Sequence, residues 1–123
     1  MSNILKEKSE NFSDRIIKMH DYLRRIKKER TISEQILRSG TSIGANIAEA
    51  NFSGSKKDFI NKLNIAAKEC SETGFWLRRL KSGKHITESQ YESMQNDCDE
   101  IGKLLTSSIK TAQRNVSKLN IKH

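Results

Sequence analysis

The fold turns on one stretch, Ile32–Ile47, ISEQILRSGTSIGANI. Ile32, Ile36, Gly40, Ile43 and Ile47 recur at steps of four and three, the spacing of one helix face. Phe12, Ile16, Met19, Leu23 and Ile26 make a similar stripe before it. Two more follow: Phe59, Leu63, Ala66, Cys70, Thr73, Leu77, Leu80, and then Tyr91, Met94, Cys98, Ile101, Leu105, Ile109, Ala112. In an antiparallel helix pair, facing residues keep a constant sum of positions. Phe12–Ile47, Ile16–Ile43, Met19–Gly40 and Leu23–Ile36 obey this for the first pair. Ile47–Phe59, Ile43–Leu63, Gly40–Ala66 and Ile36–Cys70 obey it for the second; Phe59–Ile109, Leu63–Leu105, Cys70–Cys98 and Leu77–Tyr91 for the third. One set of layers thus serves all three hairpins, for example Ile16, Ile43, Leu63, Leu105, or Leu23, Ile36, Cys70, Cys98. The expectation is an all-α, up-down-up-down antiparallel four-helix bundle, with helices about 3–28, 32–52, 56–82 and 88–117, in a single domain over 1–123. Gly40 is expected to make room for Met19.

Local signals agree with these limits. Ser55 stands three before Asp58, and Thr87-Glu88-Ser89-Gln90 matches a capping box. Gly54 and Gly83 lie where the second and third helices should stop. The Lys28–Thr31 connection has neither glycine nor proline, so its boundary is the least marked.

Composition narrows the class. The 123 residues contain no proline and six glycines, which disfavours a turn-rich β fold. No apolar run approaches the ~18 residues a membrane span needs. The opening MSNILKEKSENF has no apolar h-region, so no signal peptide and a cytoplasmic location are expected. Net charge is +8, with the excess in residues 1–30 (nine basic, five acidic) and 55–82 (seven basic, three acidic). Such a balance favours nucleic acid or another anionic partner, although many basic proteins are merely soluble.

Enzyme chemistry finds no constellation. Cys70 and Cys98 share a layer, where a disulfide is conceivable but two reduced core thiols fit a cytosolic chain better. The Glu-x-x-His pairs of carboxylate bundle sites are missing, so no metal or other cofactor is expected. His20, His85 and His123 are scattered and read as solvated. Glu92, Asp97, Asp99 and Glu100 read as a solvated acidic face of the fourth helix. The expectation is a protein that is not an enzyme.

Two features remain. Gly44, Ala45 and Ala48 lie off the core stripe and, with Leu37, form a second, flatter stripe on the second helix. It packs either against flanking side chains or against another subunit; Leu37, Thr41, Gly44, Ala45, Ala48 and Trp76 are the candidate interface. Beside it, Ser42, Asn46 and Glu49 share a polar face, which Glu72 of the third helix can join. The second feature is charge at helix ends. Arg24, Arg25, Lys27, Lys28 and Arg30 end the first helix, and Arg78, Arg79, Lys81 and Lys84 end the third. In an up-down bundle both ends share one pole. Cations there complement helix dipoles, which is one reading; polyanion binding is the other. Phe75 and Trp76, within a turn of that pole, offer rings for base stacking or for plugging a flank.

At this point the residues suggest a family. Leu37–Leu80, and above all Ser42–Glu49 (SIGANIAE), with Ser55-Lys56-Lys57-Asp58-Phe59 and Glu72, Trp76 and Leu77, resembles the bacterial four-helix-bundle proteins encoded in intervening sequences of large-subunit ribosomal RNA genes. The outer helices match in length and pattern, so the resemblance covers nearly the whole chain. Many members carry glycine after Ala-Glu, often followed by arginine. Here Ala50-Asn51-Phe52 stands in that place, so a role for that arginine does not carry over. The resemblance implies a homo-oligomer, a ring-like pentamer in several relatives. It also implies similarity to the accessory protein of diversity-generating retroelements, which works with a reverse transcriptase and RNA. RNA binding through the basic pole is therefore the leading expectation. An adaptor for a reverse transcriptase or other protein partner is the alternative.

Overall fold

The computed structural model describes the backbone of residues 3–122 and the side chains of 4–118. His123 lies outside the described residues. Four helices, α1 Asn3–Arg25, α2 Thr31–Asn51, α3 Lys56–Ser82 and α4 Glu88–Lys122, form the bundle, with no strand among the described residues. Each helix packs on the next, and α4 returns to α1. α1 and α3 therefore occupy one diagonal, and α2 and α4 the other. The anticipated stripes are the core: Ile16, Ile43, Leu63 and Leu105 are all fully buried, as are Leu23, Ile36, Leu77 and Leu80. Cys98 donates its thiol to the Cys70 carbonyl at 3.4 Å, so that layer pairs as expected. Both cysteines are free.

The register of α1 on α2 differs from the expectation. A Cβ at Gly40 would lie 2.7–2.9 Å from three side-chain carbons of Ile16, so Ile16 fills the notch expected to take Met19. The slip is three positions, close to one turn, and it keeps the same stripe inward. Met19 turns to the α1–α4 seam, beside Ile86 and Met94.

α1 also ends earlier than expected, at Arg25 rather than 28. Lys28 takes a left-handed conformation (φ 58°), and the Glu29 amide donates back to the Leu23 carbonyl at 2.9 Å. Ile26 thereby leaves the stripe and is 61% exposed. Glu29 then caps α2: its carboxylate accepts from the Ile32 and Ser33 amides, both at 2.8 Å. The other caps follow the expectation. Ser55 accepts from the Asp58 amide at 3.1 Å. Thr87 and Gln90 exchange reciprocal bonds at 2.8 and 3.1 Å.

Neither anticipated stop glycine is left-handed. α2 closes through the Phe52 and Ser53 amides, which donate to Glu49 and Ala50 carbonyls. At the end of α3 the left-handed residue is Lys84 (φ 60°). The Lys84 and His85 amides donate to the Lys81 and Leu80 carbonyls, the paired bonds of a Schellman motif. Gly83 is needed for a different reason: a Cβ there would sit 2.8 Å from the His85 ring. α4 runs to Lys122 rather than 117. No glycine or proline interrupts 103–122; among the described side chains the last buried residue is Ala112, and residues 113–118 are mostly exposed.

Candidate nucleic-acid interface

The helix dipole dictates the charge at one end of the bundle. α1 and α3 finish there with Arg24, Arg25, Arg79 and Lys81 in their last turns. α2 and α4 begin there with Glu34 and Glu88 in their first turns. Because α1 and α3 are diagonal, the basic pole is two patches at opposite corners, separated by acidic helix starts. Nine cations (Arg24, Arg25, Lys27, Lys28, Arg30, Arg78, Arg79, Lys81, Lys84) share this end with the carboxylates of Asp21, Glu29, Glu34 and Glu88. The Glu29 carboxylate is occupied as a cap.

At the α1 corner, Arg24 pairs with Glu34 at 3.1 Å and Arg25 with Asp21 at 2.9 Å. His20, expected to be solvated, is partly buried and lies 3.2 Å from Glu34. Lys27, Lys28 and Arg30 stand in the loop rather than on the helix, and none has a carboxylate partner among the described residues. At the α3 corner, Lys81 lies 3.8 Å from Glu88 and 4.3 Å over the Tyr91 ring. Arg79 sits 5.3 Å over the Phe75 ring, which is 44% exposed. Arg78 and Lys84 have no carboxylate partner among the described residues. Phe75 is thus an exposed ring with a cation already on one side. Trp76 meets it edge-on, with centroids 4.9 Å apart.

Trp76 belongs to another face. Its indole donates to Glu72 at 3.4 Å, and Glu72 is bound by Arg38 of α2, which also reaches Glu69 at 3.4 Å. Burial raises the Glu69 carboxyl above its ordinary value, whereas the Arg38 hydrogen bond holds Glu72 below it. Nearby, the Ser42 hydroxyl donates to the Arg38 carbonyl (2.7 Å), and the Asn46 amide to the Ser42 carbonyl (2.8 Å). Glu49 pairs with Lys62 at 3.1 Å. Glu72 with Arg38 and Glu49 with Lys62 therefore clasp α2 to α3, whereas Ser42 and Asn46 bond back onto the α2 backbone. The hub of this clasp, Arg38, was missed; its signal was its place one turn before Ser42 on the same flank.

Gly44 lies on the opposite flank of α2, where its Cβ would meet the Ser13 hydroxyl at 3.0 Å and the Ser9 carbonyl at 3.4 Å. The close neighbour it needs is α1 of the same chain. Ala45 and Ala48 are exposed; Leu37 and Thr41 are half-buried. On α4, Asp97 and Glu100, read as solvated, instead pair with Arg15 (2.5 Å) and Lys8 (2.6 Å) across the α1–α4 seam.

Two grooves could compete with the pole as sites. One of about 590 Å³ between α3 and α4 is floored by Cys70, Cys98, Gly74 and Gly102. Hydrogen bonding with Cys98 and burial push the Cys70 thiol far above its usual value, which keeps it protonated and a poor nucleophile. The other, of about 480 Å³, lies between α1 and α4. Among the described residues no group of three or more His, Cys, Asp or Glu is placed to hold a metal ion, and no helix is long and apolar enough to cross a membrane.

Comparison with known proteins agrees with this architecture. None of the curated proteins compared matches the chain. A solved structure from Bacteroides thetaiotaomicron VPI-5482, a protein of unknown function from the S23 ribosomal protein family, superposes with a TM-score of 0.87. It is 55% identical, over 88% of this chain and 96% of that one. The model of the 23S rRNA-intervening sequence protein family matches residues 1–107. With that match and this bundle, the chain belongs to the 23S rRNA-intervening sequence protein family.

Proposed function

We propose that this protein is a non-enzymatic, homo-oligomeric RNA-binding bundle whose ligand docks on the basic pole. The observation that carries the reading is the set of cations there that lack carboxylate partners among the described residues: Lys27, Lys28, Arg30, Arg78, Arg79 and Lys84. Dipole complementation accounts for cations in the last turns of α1 and α3. It does not account for Lys27, Lys28 and Arg30, which lie beyond α1 and before the positive end of α2. Affinity comes mainly from phosphate contacts and falls steeply with salt. The test is fluorescence anisotropy with structured RNA and matched duplex DNA from low to physiological salt. Wild type is compared with the combined Arg24→Glu, Arg25→Glu, Arg78→Glu, Arg79→Glu variant. RNA binding that persists at physiological salt and vanishes in the variant supports the reading. Its absence in the wild type moves the assignment to an adaptor for a protein partner.

Assembly is proposed through the face of α2 that carries Leu37, Thr41, Ala45 and Ala48, the first two half-buried and the two alanines exposed. A ring would repeat the pole around its axis and raise its field. Ala45→Arg is expected to lower the native mass in sedimentation while leaving helicity unchanged. An unchanged mass removes this face from the assembly. Gly44 is unsuited to the test, because a side chain there crowds Ser13 and Ser9 of α1 in its own chain.

A further inference from the structure

Local folding rules are broken twice within three residues of the α1–α2 loop. Lys28 holds φ at 58°, a conformation that glycine adopts freely and a lysine does not. Arg30 occupies the N-cap of α2 with no side-chain cap bond, where Ser, Thr, Asp or Asn is favoured and where the dipole disfavours a cation. The loop around them is nevertheless fixed. Glu29 ties it back to Leu23 through its amide and forward to Ile32 and Ser33 through its carboxylate, and the Ser33 hydroxyl donates to the Glu29 carbonyl at 2.9 Å. Positions that break local rules inside a rigid frame are where function is expected.

The two residues open on one cleft. Its volume is about 370 Å³, and its walls are His20, Asp21, Arg24, Arg25, Lys28 and Arg30. The one carboxylate among these is held by Arg25. Lys28 and Arg30 are left with their charges uncompensated among the described residues. An ammonium and a planar guanidinium facing one cleft suit the oxygens of a phosphate group.

We propose that this cleft is a phosphate-binding site, with Lys28 and Arg30 as its positioned ligands. The proposal rests on the reading that the pole binds RNA, and it names the group recognised: a single phosphate, terminal or within the backbone.

The test uses the Lys28→Gly, Arg30→Ser double variant of the full chain. Both changes relieve local penalties, so the variant is expected to melt no lower than the wild type. Lost binding is then not lost folding. Inorganic tripolyphosphate is titrated by calorimetry, and 3′-labelled single-stranded RNA with either a 5′-phosphate or a 5′-hydroxyl is followed by anisotropy across salt. Tripolyphosphate affinity should fall by about tenfold or more. The slope of log K against log salt for RNA should shrink by ~0.7, one phosphate contact. A larger loss on the 5′-phosphate RNA assigns the cleft to a terminal phosphate; equal losses assign it to the backbone. Unchanged binding of both probes in the variant overturns the site and leaves RNA binding by the pole standing. Tripolyphosphate binding that the variant loses, with no RNA binding by the wild type, overturns the RNA reading and keeps the site. A wild type that binds neither overturns both.

Discussion

Gly40 and Gly102 are both mid-helix glycines, and the structure predicts that the same substitution acts on them with opposite sign. Alanine in a helix interior is favoured over glycine by roughly 1 kcal/mol. At Gly102 a Cβ meets nothing within 4 Å, so Gly102→Ala should realise that gain in full. At Gly40 the same Cβ would press into Cγ1, Cδ1 and Cγ2 of Ile16 at 2.7–2.9 Å. Ile16 is fully buried and β-branched, so it has no free rotamer to retreat into. Overpacking of this kind costs about 1–3 kcal/mol. With three atoms in conflict the upper half of that range applies, which leaves Gly40→Ala destabilising by roughly 1–2 kcal/mol. The two variants should thus differ by about 2–3 kcal/mol, or roughly 10 °C in Tm for a domain of this size. Thermal melts by circular dichroism at one fixed protein concentration, with urea titrations alongside, measure this. In the Ile16→Ala background the Gly40→Ala penalty should disappear, a coupling that a double-mutant cycle reads directly. If Gly40→Ala stabilises as much as Gly102→Ala, the register of α1 on α2 described above is wrong.

Two further substitutions test other parts of the account. Glu29→Ala removes the acceptor for two amides at the start of α2 and should cost about 1–2 kcal/mol in urea unfolding, with Glu29→Gln in between. Glu72 is held below the ordinary carboxylate range by Arg38, so its contribution is present above that range and is lost as pH falls through its lowered value. Glu72→Gln should therefore cost about 0.5–1 kcal/mol near neutral pH, screened because the pair is partly exposed, with the gap closing in acid. Glu69 is raised by burial, so its ionised form opposes folding and Glu69→Gln should cost less than Glu72→Gln at neutral pH.

The helical stripes were legible because burial imposes a period, and the period survives in Ile36, Ile43, Leu63, Leu77 and Leu105 whatever their neighbours do. The Thr87–Gln90 and Ser55–Asp58 starts were legible because their caps use the residue types that form such bonds. The slip of α1 was not legible. Moving Ile16 into the place of Met19 keeps an apolar residue inward, so periodicity is blind to it; only the shape of the Gly40 notch against a β-branched side chain decides. The end of α1 was hidden because a lysine stands where a glycine would have announced a left-handed residue. Gly83 did mark the end of α3, but it stands at the cap beside the His85 ring, while Lys84 makes the left-handed turn. At the candidate site, the list of basic residues was readable from their order along the chain. Their division between two diagonal corners was not, because it depends on which helices are neighbours. The Arg38 clasp was missed because its partners lie on another helix, one flank away from the core stripe.

The most direct test of the basic pole is to map where RNA touches the protein. Ultraviolet crosslinking of the full chain to bound RNA at physiological salt, followed by mass spectrometry of the peptides, reports contact without any mutation. The account predicts adducts concentrated on the segments carrying Lys27–Arg30 and Phe75–Lys84. Adducts confined to residues 113–118 of α4 or to the α2–α3 clasp, with those two segments unmodified, would contradict it.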